Sequence, residues 1–173
     1  MTALRSSAPI PPASPAVMQA GSADPRRLVV VGASGNVGTS AVAWMLDAVD
    51  AGSWRTDVLG PLPVPDVLVA GVPLQAMTRA KNALLLLSRL GVRPVLVVVN
   101  DGHGRPPADS SALLILLRPL AREVAQIPYV PAWRACTSPG GLTPPTGPAL
   151  QAVNRLRAVF GLAPVPSPKR TRR

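Results

Sequence analysis

The chain has 173 residues, of which 47% are hydrophobic and 3% aromatic, and its formal net charge is +10 at pH 7. The length is typical of one domain, and a core of Val, Leu and Ala suits a parallel sheet covered by helices. A single cysteine, Cys136, excludes an internal disulfide, and a single histidine, His103, leaves no cluster that could bind zinc.

Neither a membrane span nor a signal peptide is predicted. No stretch reaches the roughly 18 unbroken apolar residues of a spanning helix. Residues 1–25 lack the apolar segment of a signal peptide, and they contain five prolines among small and polar residues. We therefore expect a cytoplasmic protein with a disordered N-terminal arm over residues 1–25.

The positive charge is weak support for nucleic-acid binding. Of the 18 basic residues, 16 are arginine and two are lysine, Lys81 and Lys169. Together with the many alanines and prolines, the excess of arginine indicates a high-GC coding bias. Four basic residues lie in the last five positions. We expect at most weak, non-specific nucleic-acid binding through a basic tail over residues 163–173.

Between the arm and the tail, residues 26–162 are predicted to form one α/β domain. A β-branched apolar run predicts a first strand over 28–31. Helical spacing of apolar residues predicts a helix from Thr39 to about Val49, and the residues from Asp50 to Ser53 end this helix. The proline-rich connection at 60–65 is too poor in N–H donors to be a strand.

The rest of the chain alternates strands and helices. Pro119 predicts a break near Arg118 within the third helix, and Pro128 places the last strand at a sheet edge. The predicted elements are strand 66–71, helix 74–90 capped by Gly91, strand 94–99, a helix from Asp109 or Ser110 to about Ala125, strand 127–130 and helix 148–160.

This order predicts a small, mainly parallel sheet of about four strands with helical crossovers. Right-handed crossovers that run in one direction would put every helix on one face of the sheet. The unbroken apolar strand 95–99 needs cover on both faces. Either the last helix folds back across the second face, or a partner chain covers it.

The candidate site is a glycine-rich loop after the first strand, in the sequence RLVVVGASGNVGTS from Arg27 to Ser40. A strand, a glycine turn and a helix start hold phosphate in α/β folds, because the loop N–H groups and the helix dipole point at the anion. Thr39 and Ser40 could instead cap the helix. The candidate phosphate-binding residues are Gly32, Ser34, Gly35, Asn36, Gly38, Thr39 and Ser40.

The loop residues also carry conformational expectations. We expect positive φ at Gly35 and Asn36, since they stand in the middle of the turn. Val37 should point into the core, and Gly38 should matter mainly for packing, because it lies where the helix meets the strand.

The loop is similar to the G-x-x-G-x-x-G turn of the extended short-chain dehydrogenases, which bind NADP. That resemblance implies a Rossmann-like protein with a ribose contact after the second strand, and Asp57 falls at a suitable distance. The family's Tyr-x-x-x-Lys pair is missing, because Trp133 stands four residues after Tyr129. A small NAD(P)-binding protein is the alternative interpretation.

Residues 27–160 resemble the P-loop ATPases of the ParA/MinD type, which partition plasmids or place the division site. Residues 66–73 look like that family's strand ending in a proline, and 97–100 like its strand ending in an asparagine that contacts adenine. Residues 127–131 look like its Ile-Pro-x-x-Pro segment, whose loop borders the base. The resemblance adds Asn100 and Pro131 to the candidate nucleotide-binding residues, and it extends to short ParA-like proteins of actinobacterial plasmids and integrative elements.

The chain lacks the residues that the ParA/MinD family uses to hydrolyse ATP. Ser34 and Thr39 occupy the positions of the two loop lysines, and 28 residues separate Gly38 from Val67, too few for the segment that holds Mg²⁺. Without the lysine charge on the phosphates, phosphoryl transfer loses its main electrostatic stabilisation. We therefore assign no catalytic or metal-binding residue and expect weak binding of ATP or ADP at most.

The leading interpretation is thus a shortened, degenerate P-loop-like domain. It would serve as a non-hydrolysing accessory protein in the partitioning or transfer of a plasmid or mobile element, acting with a protein partner or as a homo-oligomer. A basic DNA-binding adaptor is a third interpretation. Asp101 and His103 are either an acid/base pair or a solvated loop, and Cys136 is either a nucleophile or a partly buried small residue.

Overall fold

The structure, a computed structural model, describes residues 27–54, 64–136 and 141–167. Over these ranges the chain alternates strands and helices, with a short 3₁₀ helix at Arg118–Leu120. The predicted arm, Asp57, most of the proline-rich connection and residues 168–173 of the basic tail lie outside them. The elements are β1 (Val29–Gly32), α1 (Thr39–Leu46), β2 (Val49–Ser53), β3 (Val67–Gly71), α2 (Leu74–Arg89), β4 (Val95–Val99), α3 (Ala108–Leu117), β5 (Glu123–Ile127), α4 (Pro131–Arg134) and α5 (Gly147–Val159).

The strands form one five-stranded, parallel sheet in the order β2-β1-β3-β4-β5. In its centre Leu68 of β3 pairs with Leu96 of β4, which pairs with Val124 of β5. All five residues of β3 are buried. The predicted α/β class, with a parallel sheet and helical crossovers, is confirmed, and the sheet has one strand more than expected.

The additional strand is β2, which we predicted as the end of a helix and a stop. Helix α1 ends at Leu46 because Asp47 adopts a left-handed conformation with φ of 52°. The Val49 N–H then donates to the Leu28 carbonyl, and β2 runs beside β1. Four of the five β2 residues are exposed, so this edge strand has no apolar alternation from which it could have been predicted.

Strand β2 reverses the direction of the crossovers, so the helices cover both faces. One apolar cluster contains residues of α1 and α5, such as Met45 and Leu156, packed on Val97. The other contains Leu84 of α2 and Leu117 of α3, packed on Leu96 and related residues. The expectation that the last helix covers the second face is confirmed. The expectation that all crossovers run in a single direction is wrong.

The third helix and the last strand also differ from prediction. Helix α3 ends at Leu117, and the 3₁₀ helix around Pro119 follows it, as the predicted break requires. Residues 123–127, part of which we assigned to the helix, form β5 instead. Strand β5 pairs with β4 alone, which confirms an edge position, and Pro128 follows the strand rather than lying in it.

Two further observations concern the limits of the domain. Asn154 of α5 accepts a hydrogen bond from the Val165 N–H at 2.8 Å, so contacts with the domain continue past residue 162, its predicted end. Among the described residues, none of the helices is long and apolar enough to cross a membrane.

Candidate functional site

The candidate site is a cleft at the carboxyl edge of the sheet. Strand β1 has β2 on one side and β3 on the other, so the connections that leave β1 and β3 diverge. Such a topological switch point is where open α/β sheets bind their ligands. The cleft has a volume of about 970 Å³ and is lined by loop residues 34–40 and by residues that follow β3, β4 and β5.

Gly32 ends β1 and allows a close approach between the loop and α1. A Cβ atom at Gly32 would lie 2.9 Å from the Ser34 carbonyl oxygen and closer still to the Thr39 hydroxyl. Any side chain there would displace the loop. The next residue is held to β3, since the Ala33 N–H donates to the Val69 carbonyl at 2.7 Å.

Positive φ occurs at Asn36 (60°) and Gly38 (86°), which turn the chain into α1. The expectation for Asn36 is confirmed, and that for Gly35 is wrong. Val37 is buried at 8% exposure, as predicted. The role expected for Gly38 needs correction: the nearest atom to a Cβ there would be Val99 Cγ1 at 3.7 Å, an ordinary contact. Gly38 is therefore required by its left-handed backbone rather than by packing.

The loop and the first turn of α1 present N–H groups to the cleft. The first helical hydrogen bond runs from the Val42 N–H to the Gly38 carbonyl at 3.0 Å. Within residues 27–54, 64–136 and 141–167, no backbone carbonyl accepts a hydrogen bond from the N–H groups of Gly35 or residues 38–41. Unpaired donors at a helix N-terminus, together with the helix dipole, favour an anion at this position.

The two hydroxyl residues at the start of α1 have different surroundings. Neither caps the helix, whose N-cap is Gly38. The Ser40 hydroxyl donates to Oδ2 of Asp50 at 2.6 Å, so the hydroxyl proton is already used in a hydrogen bond to β2. Thr39 is half-buried, lines the cleft and lies over Gly32. The capping interpretation is therefore wrong for both residues, and Thr39 is the better placed of them to contact a phosphate.

Among the described residues, no lysine lines the cleft to replace the missing loop charge. Ser34 is buried at 9% exposure, and Lys81, on α2, does not line the cleft. The cations that line it are Arg79 of α2 and Arg134 of α4. Arg134 lies with Cζ 6.0 Å from the centre of the Tyr129 ring.

Asn100 follows β4 at the floor of the cleft. Its N–H donates to the Ile127 carbonyl at 3.0 Å. Its side-chain Oδ1 is buried and has no hydrogen-bond partner among the described residues. Protein atoms enclose this oxygen, so it is not exposed to the cleft. Asn100 itself lines the cleft, which is the position that a base-contacting residue requires.

The segments that carry the ParA/MinD resemblance meet at this cleft. Gly71 ends β3 and Pro73 follows it, Asn100 follows β4, and Tyr129 follows β5; all of them line the cleft. Pro131 does not line the cleft itself. It begins α4, and this short helix brings Trp133 and Arg134 to the wall.

Sequence reasoning missed Asp50 and Arg79. Asp50 lies on β2, the unpredicted strand, and its Oδ1 accepts the Gly52 N–H at 2.9 Å. Arg79 lies on the exposed side of α2 and could have been found only from the position of that helix beside the glycine loop.

The other residues considered show no catalytic arrangement. Asp101 Oδ1 accepts the His103 backbone N–H at 3.0 Å, which is a local turn contact in an exposed loop. Cys136 is half-buried, as expected of a small packed residue. The Trp133 indole donates to the Thr143 carbonyl at 3.2 Å and packs against the core, as a structural tryptophan does.

Comparison of the chain with protein-family models, with curated proteins and with solved structures finds no match.

Proposed function

We propose that this protein binds a nucleotide without hydrolysing it, with a phosphate held by the glycine loop and the first turn of α1. The observation that carries the proposal is a set of N–H groups, at Gly35 and residues 38–41, that have no backbone acceptor among the described residues and belong to the lining of a cleft at the switch point of the sheet. A cleft of about 970 Å³ has room for a whole nucleotide.

The lack of hydrolysis follows from the groups that face the phosphate position. Ser34 and Thr39 offer neutral hydroxyl groups at the positions where the ParA/MinD resemblance places two lysines, whose charge stabilises phosphoryl transfer. Arg79 and Arg134 lie on helices across the cleft, where their charge can attract a nucleotide. The two arginines can therefore contribute to nucleotide binding, but neither lies inside the loop, where a catalytic residue would be needed.

The biological role that we propose follows the ParA/MinD resemblance. The chain would act as an accessory protein in partitioning or transfer of a plasmid or mobile element, together with a protein partner or a second copy of itself. The meeting of its three matching segments at one cleft supports this role. In this arrangement the base lies toward Asn100 and Tyr129, which line the cleft beyond the ends of β4 and β5.

A second candidate, an NAD(P)-binding protein, is favoured by a different observation. Strand β2 lies directly beside β1, and Asp50 follows Gly32 by 18 residues and lines the cleft. A carboxylate at about this distance from a glycine loop contacts ribose hydroxyls in dinucleotide-binding folds. The same carboxylate would repel a 2′-phosphate, so this candidate binds NAD⁺ rather than NADP.

Calorimetric titration with ADP, ATP–Mg, NAD⁺ and NADPH tests the proposal and separates the candidates. The first candidate predicts binding of ADP that weakens in Asn100→Ala and is unchanged in Asp50→Ala. The second predicts NAD⁺ binding that weakens in Asp50→Ala. Asp109→Ala is the matched control, since it removes a carboxylate from an exposed position outside the cleft. Flat titrations with all four compounds would refute both candidates.

A further inference from the structure

Helix α3 carries an apolar run whose outer side is uncovered among the residues that the structure describes. Residues 112–117, with the sequence ALLILL, are six successive apolar residues, so their side chains point in every direction around the helix. Leu117 is buried in the apolar cluster between α3 and the sheet, and Leu114 is partly buried there. Ile115 and Leu116 are 66% and 70% exposed. A helix that is apolar all round is normally covered all round, so the outer side of α3 is suited to a partner.

Helix α2 contacts α3 and extends the apolar surface. Leu85 of α2 is 42% exposed, and Arg89 follows it by four residues, on the same side of the helix. Within Leu74–Arg89, all of which the structure describes, there are three basic residues and no acidic one. The outer surface of α2 therefore combines an exposed apolar side chain with positive charge.

Two further arginines lie at the C-terminal end of α3. Arg118 is exposed and follows the apolar run directly. Arg93 precedes β4 and donates to the Pro119 carbonyl, so its guanidinium lies at the same end of the helix. The nearest acidic residues along the chain are Asp109, at the opposite end of α3, and Glu123, on β5. Positive charge therefore predominates beside the exposed apolar residues.

The charge of this region identifies the class of partner. We call its residues the α3 surface: Leu85, Arg89, Arg93, Ile115, Leu116 and Arg118. In a symmetric dimer the same surface of both copies would meet, which would bring like charges together around the apolar residues. A bilayer with anionic headgroups instead offers phosphate to the arginines and, beneath the headgroups, hydrocarbon to the apolar side chains.

We propose that the α3 surface binds the anionic surface of a lipid bilayer. Ile115 and Leu116 project from the fold, so they can enter the boundary between headgroups and acyl chains without a shaped pocket in the partner. Arg89, Arg93 and Arg118 then lie at the level of the headgroup phosphates. The protein lies on the membrane in this arrangement and does not cross it. The residues of the α3 surface do not line the main cleft, so the inference does not depend on the proposed function.

Sedimentation of the full chain with lipid vesicles tests the proposal. At an ionic strength of about 0.15 M, the chain should bind vesicles of phosphatidylcholine that contain about 30% phosphatidylglycerol. Vesicles of phosphatidylcholine alone should bind it at least about tenfold more weakly. Equal binding to both kinds of vesicle, or no binding to the anionic ones, would overturn the proposal. The basic residues of 168–173 also attract anionic lipid, so variants must locate the contact.

Leu116→Asn should weaken binding to the anionic vesicles about tenfold, because it removes one apolar side chain from the bilayer. Leu74→Asn is the matched control, since Leu74 is 44% exposed at the opposite end of α2, and this variant should bind as the parent does. Both substitutions are at exposed positions and should leave the melting temperature nearly unchanged, so a loss of binding reports on the contact rather than on folding. Equal binding of the two variants would contradict the proposal.

A charge variant tests the arginines separately. Arg118→Gln should weaken vesicle binding about fivefold, the contribution of one basic residue near an anionic surface. Arg155→Gln removes the same charge from an exposed position of α5, on the opposite face of the sheet, and should have a smaller effect. Equal effects of the two charge variants would place the lipid contact elsewhere and refute the assignment.

Sedimentation equilibrium without lipid tests the alternative occupant, a second copy of the chain. The proposal predicts that the parent and Leu116→Asn have the same oligomeric state in solution. A parent dimer that Leu116→Asn converts to a monomer would overturn the proposal and make the α3 surface a contact between copies.

Discussion

The Ser40 hydroxyl donates a hydrogen bond of 2.6 Å to Oδ2 of Asp50, which ties the first turn of α1 to β2. Because β2 is mostly exposed, few apolar contacts hold its carboxyl half beside β1. The bond also fixes the Asp50 carboxylate at the edge of the glycine loop, where its other oxygen accepts the Gly52 N–H. This one side-chain contact therefore links β2, the edge strand, to α1 and holds the Asp50 carboxylate beside the glycine loop.

Ser40→Ala should lower the free energy of unfolding by about 0.5–1.5 kcal/mol, the usual net contribution of one hydrogen bond. Chemical denaturation measures this change. Ser88→Ala, at an exposed position near the end of α2, is the matched control and should alter stability by less than about 0.5 kcal/mol. Equal, negligible effects of the two substitutions would mean that the Ser40 contact does not stabilise β2.

Two glycines of the loop should respond differently to alanine. Gly32→Ala places a Cβ 2.9 Å from the Ser34 carbonyl oxygen and against Thr39, so it should cost about 1–3 kcal/mol of stability. Gly35 is exposed, has no positive φ, and a Cβ there would meet Ser53 Oγ at 3.9 Å. Gly35→Ala should therefore leave the melting temperature nearly unchanged. A larger loss in Gly35→Ala than in Gly32→Ala would contradict the loop geometry.

Much of the fold could be predicted from the sequence because its buried strands carry unbroken apolar runs. Residues 95–99 and 67–71 are such runs, and their boundaries agree with the prediction within one residue. Gly91, with φ of 73°, follows α2 as its predicted cap. These elements are determined by local composition, which the sequence displays directly.

The missed features depend on tertiary contacts. The sequence of β2 predicted the end of a helix. These residues form a strand because Val49 and Asp50 pair with the edge of β1. Without β2, neither the two-faced sheet nor the place of Asp50 in the cleft could be derived. The residues of β5 continue a helical pattern past Pro119, and pairing with β4 makes them a strand. Tertiary context overrides local preference in both cases.

Of the candidate site, the glycine loop and Asn100 could be predicted because their residue types mark the end of a strand. The positions of Arg79 and Arg134 could not, since each depends on how a helix packs over the cleft. The burial of Asn100 Oδ1, which has no hydrogen-bond partner in the described part of the chain, is likewise a property of the packed structure.

Purified protein should show no ATP turnover above background, because no lysine in the part of the chain that the structure describes lines the cleft to stabilise charge on the transferred phosphoryl group. A coupled assay with saturating ATP–Mg measures this. Thr39→Ala serves as the control for a contaminating ATPase, and it should give the same background rate. Turnover in the parent that is lost in Thr39→Ala would contradict the account.

The basic tail should give salt-sensitive, sequence-independent affinity for DNA. Lys169, Arg170, Arg172 and Arg173 could contact about four phosphates, which implies a slope of magnitude about 3–4 in a plot of log affinity against log salt. Deletion of residues 168–173 should abolish this binding and keep Val165 in place on α5. If DNA affinity and its salt dependence survive the deletion, the basic surface must lie on the folded domain.

The most direct test of the central claim is an NMR titration of the ¹⁵N-labelled protein with ADP, the moiety that ATP and NAD⁺ share. If the loop holds phosphate, the backbone amide signals of Gly35, Gly38 and Thr39 should shift saturably, because their N–H groups become hydrogen-bond donors to the ligand. The Gly91 amide, which is bonded to the Ser88 carbonyl and lies outside the cleft, is the internal reference. Loop amides that stay unshifted at saturating ADP, or shifts confined to residues outside the cleft, would contradict the account.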